Sequence, residues 1–175
     1  MSLVKSVSAE TLAYTAGLFD GEGCVNFSQS GQAKTLFIRV MIRNTDYGIM
    51  EFLQSAFGGQ VSQYDYSKNP TWKTSYCWRL DWDSAMDFLC AIEPWVRIKA
   101  EQILVAKVWG AIRNRGGKKL TDDYRSQIDL LAKQLHWLNR KCKRLESDIE
   151  PIAEVLTTLS VPAEQILEEI GYAAH

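Results

Sequence analysis

Two carboxylates one residue apart, Asp20 and Glu22, lie in the run Gly17-Leu18-Phe19-Asp20-Gly21-Glu22-Gly23. They are the residues of this chain best suited to chemistry. Carboxylates are hard oxygen ligands, and with water they hold Mg²⁺, Mn²⁺ or Ca²⁺ in preference to zinc. Other metal chemistry is poorly served. The four cysteines, Cys24, Cys77, Cys90 and Cys142, form no Cys-x-x-Cys pair, and the two histidines are His136 and His175. A zinc centre or a histidine-based nuclease is therefore not expected.

The two acids need an element to carry them. Ser8 caps a helix over Ala9–Phe19, which contains good helix formers and no proline. Ala16, Gly17 and Gly21 leave one face of it nearly bare. A glycine inside a helix costs about 1 kcal/mol against alanine, and close approach of a second backbone is the usual compensation. The helix must end at Gly21 or Gly23. Beyond it Cys24, Val25, Asn26, Phe27 and Ser28 alternate as a strand with one wet face. A small-faced helix thus delivers two acids to the edge of a sheet.

The rest of the chain repeats this scale of element. The first strand spans Cys24 to about Gln29, Ser30–Lys34 is a turn, and a second strand spans Leu36–Arg43. Ile38, Val40 and Ile42 take its buried face, and Arg39, Met41 and Arg43 the other. Asn44-Thr45-Asp46 caps a helix over Tyr47–Phe57, ended by Gly58-Gly59. A hairpin follows, Val61–Tyr66 and Thr74–Asp81, turning at Ser67–Thr71. Asp83-Ser84 caps a helix over Ala85–Ile92 that Pro94 stops. A longer helix runs from about Ile98 to Arg113 before Gly116-Gly117. Asp122–Leu145 is helical, and Pro151 and Pro162 each open a further helix. Helices separated from antiparallel hairpins give an α+β class, with one sheet face left for a partner.

Length and charge set the frame. A chain of 175 residues reads as one domain, residues 1–175, with a core over about 8–115 and a helical extension over about 120–175. It has no long apolar run and no signal-like start, which predicts a soluble intracellular protein. The net charge is −1, but all 20 Lys and Arg lie at or before Arg144. The first 145 residues hold only 14 of the 21 acids. A basic body with an acidic tail is compatible with nucleic-acid binding by the body.

Thr15–Gly23, T-A-G-L-F-D-G-E-G, resembles the L-A-G-L-I-D-A-D-G signature of the LAGLIDADG homing endonucleases. Thr15 stands where leucine is usual, and Glu22 where aspartate is commoner. The resemblance implies an α-β-β-α-β-β-α core whose four-stranded antiparallel saddle sheet grips DNA, followed by extra C-terminal helices. One motif implies a homodimer on a long pseudo-palindromic duplex, paired through Ala16, Gly17, Asp20 and Gly21. It implies hydrolysis of both strands with Mg²⁺, for which Mn²⁺ substitutes and which Ca²⁺ replaces without cleavage. The metal set is Glu22, the Gly21 carbonyl and Asp20, with Asp20 equally readable as structural. Lys99, in Pro94–Gln102, matches a lysine near the scissile phosphate, where it stabilises charge or polarises a water. Arg43 matches a catalytic position that is often glutamine. Candidate DNA contacts on the wet sheet face are Asn26, Ser28, Ser30, Gln32, Lys34, Arg39, Arg43, Ser62, Tyr64, Ser75, Cys77 and Arg79. The basic run Asn139–Arg144, with Arg140, Lys141 and Lys143, resembles a backbone-contacting segment. The family's settings are bacterial or phage cytoplasm, chloroplast or mitochondrion. The alternative is a catalytically silent relative, an intron maturase or regulator, for which its own intron RNA is a partner. A purely structural helix-paired dimer explains neither the wet sheet face nor the two acids.

Overall fold

A period of two decides which side of each strand is buried, and strand pairing decides which residues meet on that side. The structure, a computed structural model, describes residues 7–30, 35–65, 71, 73–115 and 122–140. The chain divides into two compact units, one ending at Ala100 and the other beginning at Glu101. In the first unit, helix α1 (Ala9–Glu22) leads into β1 (Gly23–Ser30) and β2 (Thr35–Asn44). Helix α2 (Tyr47–Phe57), β3 (Gln60–Tyr64), β4 (Ser75–Asp81), α3 (Trp82–Ile92) and a 3-10 turn (Glu93–Trp95) follow. The strands form one antiparallel sheet in the order β1-β2-β4-β3. The fold is the expected α+β.

One sheet face is the core. Val25, Val40 and Leu80 form a row across β1, β2 and β4, and Ile42 pairs with Trp78. Helices α1, α2 and α3 contact the sheet, bringing Phe19, Met50, Leu53, Phe57, Phe88 and Leu89 into the core, all buried. Phe88 meets the rings of Phe19, Phe57 and Trp78 edge to face. The Trp78 indole N–H donates to the Gly58 carbonyl at 2.7 Å. Next to it, Gly59 sits at φ +88°, where a Cβ would lie 2.6 Å from the Arg79 carbonyl oxygen. Only glycine closes that turn without strain.

The second unit holds helices α4 (Ala100–Arg115, apart from its first residue) and α5 (Asp122–Leu138). Ile103, Val105 and Trp109 of α4 and Ile128, Leu131 and Leu135 of α5 are buried. Gln102 donates to the Leu138 carbonyl, at the end of α5. No helix among the described residues is long and apolar enough to cross a membrane.

Several element boundaries differ from those the sequence predicts. Helix α3 starts at Trp82, ahead of the Asp83-Ser84 cap, because Trp82 turns the chain directly from strand to helix at φ +57°. Strand β3 starts at Gln60 and ends at Tyr64, short of Tyr66. Helix α4 starts at Ala100 and not Ile98, and the N–H groups of the three preceding residues donate to Asp20 of α1. Helix α5 stops at Leu138 and not Leu145; the N–H of Arg140 reaches only to Trp137. The helices expected after Pro151 and Pro162 lie outside the described residues.

Thr15 takes the core side of α1, and its hydroxyl is buried with no hydrogen-bond partner among the described residues. An unmet buried hydroxyl costs about 1–3 kcal/mol. Thr15→Val keeps the branched shape and removes the donor. Its urea midpoint should rise at unchanged slope, by about 1 kcal/mol of stability. A midpoint that stays or falls would show that the hydroxyl is satisfied.

Candidate active site

The site is a corner where α1 becomes β1. The Gly23 N–H closes the helix on the Phe19 carbonyl. A Cβ on Gly23 would fall into the Phe19 ring and 2.5 Å from that carbonyl oxygen. Glycine is what lets the strand leave the helix flush against it. Glu22 is therefore the last helical residue and projects from the corner. It is exposed, and its carboxylate makes no hydrogen bond or ion pair with any described residue. It also lies at the negative end of the helix dipole, where an anion is disfavoured and a bound cation favoured. Gly21 lies in the same last turn, where carbonyls lack partners within the helix.

Asp20 and Lys99 lock this corner reciprocally. The Asp20 carboxylate accepts from the N–H groups of Arg97 at 2.8 Å, Ile98 at 3.1 Å and Lys99 at 3.0 Å. The Lys99 ammonium donates in return to the carbonyls of Phe19 at 2.9 Å and Asp20 at 2.6 Å. It also stands 5.7 Å from the Phe19 ring centre. Side chain holds backbone in both directions. Lys99 is buried at 7% exposure, not a surface lysine at a helix start. Its charge opposes the dipole of the helix it precedes in sequence, and the geometry supplies the compensation: its ammonium sits on the C-terminal carbonyls of α1. The three bonds tie the Asp20 carboxylate to the backbone of residues 97–99. Among the described residues no three His, Cys, Asp or Glu side chains converge, so one chain offers Glu22 as its single uncommitted acid at the corner.

Beside the corner the sheet presents its open face. Register places Cys24, Met41, Arg79 and Gln60 in one row across the four strands. Asn26, Arg39 and Asp81 form the next row on one side, and Arg43, Cys77 and Ser62 on the other. Burial pushes the Cys24 thiol up, and the charges of Lys99 and Arg43 pull partly against it. Arg43 is exposed, with its guanidinium 4.9 Å from the Tyr64 ring centre. Ser28, Ser30, Ser62 and Ser75 share this face, all partly exposed. Cys77 shares it too, but at 2% exposure it is covered and presents nothing to a partner. Arg39 and Arg79 are not loose cations. Arg39 forks onto Asp81, which holds its guanidinium still further above its ordinary value, and Arg79 forks onto Gln60. Asp81 and Gln60 belong to the face and were not among the expected contacts.

The outer face of α1 is open. Among the described residues, a Cβ at Gly17 or Gly21 would meet nothing within 4 Å. Tyr14, at 56% exposure, shares that stripe, and Ile98, held by Asp20, is 73% exposed. Ala16 does not belong to it: its side chain is fully buried within its own chain, about 100° around the helix from Gly17. Arg140 is exposed. Gln32, Lys34, Lys141 and Lys143 lie outside the described residues.

No protein-family model and no curated protein matches the sequence. Solved structures do. The homing endonuclease I-CvuI, in complex with its target in the presence of Ca, matches at TM-score 0.60 and 16% identity, over 94% of this chain and 97% of that one. The archaeal intron-encoded homing endonuclease I-Vdi141I, complexed with DNA, matches at 0.61 and 17%, over 94% and 98%. The LAGLIDADG meganuclease I-AabMI, bound to uncleaved DNA, matches at 0.54 and 15%, over 83% of this chain and 54% of that one. The fold is that of the LAGLIDADG homing endonucleases.

Proposed function

We propose that this chain, folded as the LAGLIDADG homing endonucleases are, is a site-specific DNA endonuclease that acts as a homodimer with divalent metal. One observation carries the reading. Glu22 is exposed and unpartnered at the end of a helix whose glycine stripe is open, while Asp20 and Lys99 fix that same helix end. A single acid cannot hold a catalytic metal. Two copies paired through Gly17 and Gly21 bring two Glu22 carboxylates together across a two-fold axis. The chain lengths support pairing: this chain spans nearly all of I-CvuI and I-Vdi141I but about half of I-AabMI.

Glu22 and the Gly21 carbonyl from each copy form a hard oxygen set that fits Mg²⁺ or Ca²⁺. When bound, such an ion supplies Lewis-acid charge at the phosphate and an activated water at neutral pH. The chain's own residues do the positioning. Lys99 and Arg43 hold positive potential beside the corner, where phosphate charge builds up during displacement. The open sheet face, with Asn26, Ser62, Tyr64 and the three arginines, lies along the duplex and reads it. A wet face between strands suits the major groove, and Arg140 suits the phosphate backbone.

The test begins with duplexes selected from a randomised library in Ca²⁺ and moved to Mg²⁺. The chain should elute as a dimer, select a long near-palindromic site and cut both strands. EDTA should abolish cutting. Gly17→Leu fills the open stripe and should give monomer or aggregate by light scattering, with cutting lost. Selection without any Mg²⁺- or Mn²⁺-dependent cutting would leave the silent binder in its place.

A further inference from the structure

One acid sits where an endonuclease face should have none. Asp81 lies on the open sheet face directly across from Arg39, on the neighbouring strand. It cancels the charge of that arginine and would repel phosphate. As a sheet staple the pair contributes to stability, since bidentate Arg–carboxylate geometry is the case in which a partly exposed ion pair does so. The pair also provides direction.

Arg39 is held by Asp81 and by the Phe37 ring. Its Nε and Nη2 donate to the two Asp81 carboxylate oxygens at 2.6 and 2.9 Å. Its guanidinium carbon stands 5.2 Å from the centre of the Phe37 ring. Phe37 in turn stacks on Trp82, with centroids 4.5 Å apart and planes 15° from parallel. Trp82 follows Asp81 in sequence and is the only non-glycine residue at positive φ among the described residues. Strained backbone of this kind persists where surrounding contacts enforce it, and such positions cluster at functional sites. The Asp81-Trp82 turn thus sets both the acid that grips Arg39 and the ring beneath its platform. The other two arginines have different neighbours. Arg79 shares a single oxygen of neutral Gln60, and Arg43 rests on the Tyr64 ring.

The fork uses the side edge of the guanidinium. The end edge, Nη1 with the outer hydrogen of Nη2, takes part in none of these bonds. That edge carries two parallel donors, the pattern that guanine O6 and N7 accept in the major groove. We propose that Asp81 is a specificity-determining residue: it holds Arg39 with its end edge outward as a preset guanine reader. The inference rests on the endonuclease reading above.

The experiment selects bound duplexes from a randomised library in Ca²⁺ for three proteins: the unaltered chain, Asp81→Asn and Arg39→Lys. The unaltered chain should prefer guanine roughly ten- to a hundredfold at one position in each half-site. Asp81→Asn should reduce that preference to about threefold or less and keep the rest of the site. It should also bind unrelated duplexes more tightly, since an acid has left the face. Arg39→Lys keeps the charge but cannot fork, and should lose the same guanine. A merely structural ion pair would move stability and leave base preference alone. Asp81→Asn retaining the guanine, or losing preference equally at every position, overturns the guanine reader while the endonuclease reading stands. An unaltered chain that enriches no sequence overturns both.

Discussion

Glu22→Gln should fold, dimerise and bind its duplex, and should cut it roughly a thousandfold more slowly or not at all, a loss of ~4 kcal/mol or more in transition-state stabilisation. The side chain is exposed and holds nothing else in its own chain. Removing its charge should therefore change stability by no more than about 0.5 kcal/mol. The sign should be slightly favourable, because the anion sits at the wrong end of the helix dipole. DNA affinity in the absence of divalent ions should rise a little, since an acid near the phosphates is gone. Hard divalent ions bind amides far less well than carboxylates, so the rate of cutting should fall alone. The measurement pairs single-turnover cleavage in Mg²⁺ with binding in Ca²⁺, beside a urea melt. Near-normal cleavage would remove Glu22 from the site. A large drop in the urea midpoint would make it a structural acid, and the exposed corner would need another explanation.

Much of this fold is legible because period and punctuation agree. Alternation from Cys24 to Ser28 and from Ile38 to Arg43 divides core from open face as the register has it. Ser8 and Asp46 cap their helices with the expected side-chain bonds. At two of the boundaries that moved, a residue distant in sequence binds the chain. Asp20 accepts from the N–H groups of residues 97–99, just ahead of the observed start of α4 at Ala100. Asp81, and not the expected Asp83-Ser84, takes the N-cap position of α3, yet its carboxylate turns to Arg39, and α3 begins without a side-chain cap.

The site was legible in its residues more than in their partners. The spacing of Asp20, Gly21, Glu22 and Gly23 identifies the corner without any tertiary knowledge. What it cannot give is the order β1-β2-β4-β3, in which the two middle strands are not consecutive. Strand β2 pairing with β4 is what sets Arg39 against Asp81, 42 residues away. The alternation in β4 already assigns Asp81 to the arginine face, and that was the available signal. Cys77 shows the opposite error. Its parity is right for the open face, but a small side chain between larger neighbours ends up covered. Ala16 is similar, since small size alone does not say which side of a helix is open.

Asp20→Asn should lower stability by about 2–4 kcal/mol, because it replaces charge-assisted bonds to three N–H groups by what one amide oxygen can accept. At this chain length that is a fall in melting temperature of roughly 5–15 °C. Lys99→Met should cost less, about 1–3 kcal/mol. It takes the ammonium from the Phe19 and Asp20 carbonyls, of which Phe19 keeps the Gly23 N–H, but also relieves a buried charge. The two losses should not add. Each side chain grips the backbone that carries the other, so breaking either loosens both halves of the clamp. The double variant should fall short of the sum by about 1 kcal/mol or more. Cleavage measured well below every melting temperature should fall in both single variants more than DNA affinity does, since Glu22 then hangs from an unpinned helix end. Additive stabilities would mean that the two grips are independent. An Asp20→Asn chain with an unchanged melt but lost metal binding would return Asp20 to the metal, and the corner would then be held by Lys99 alone.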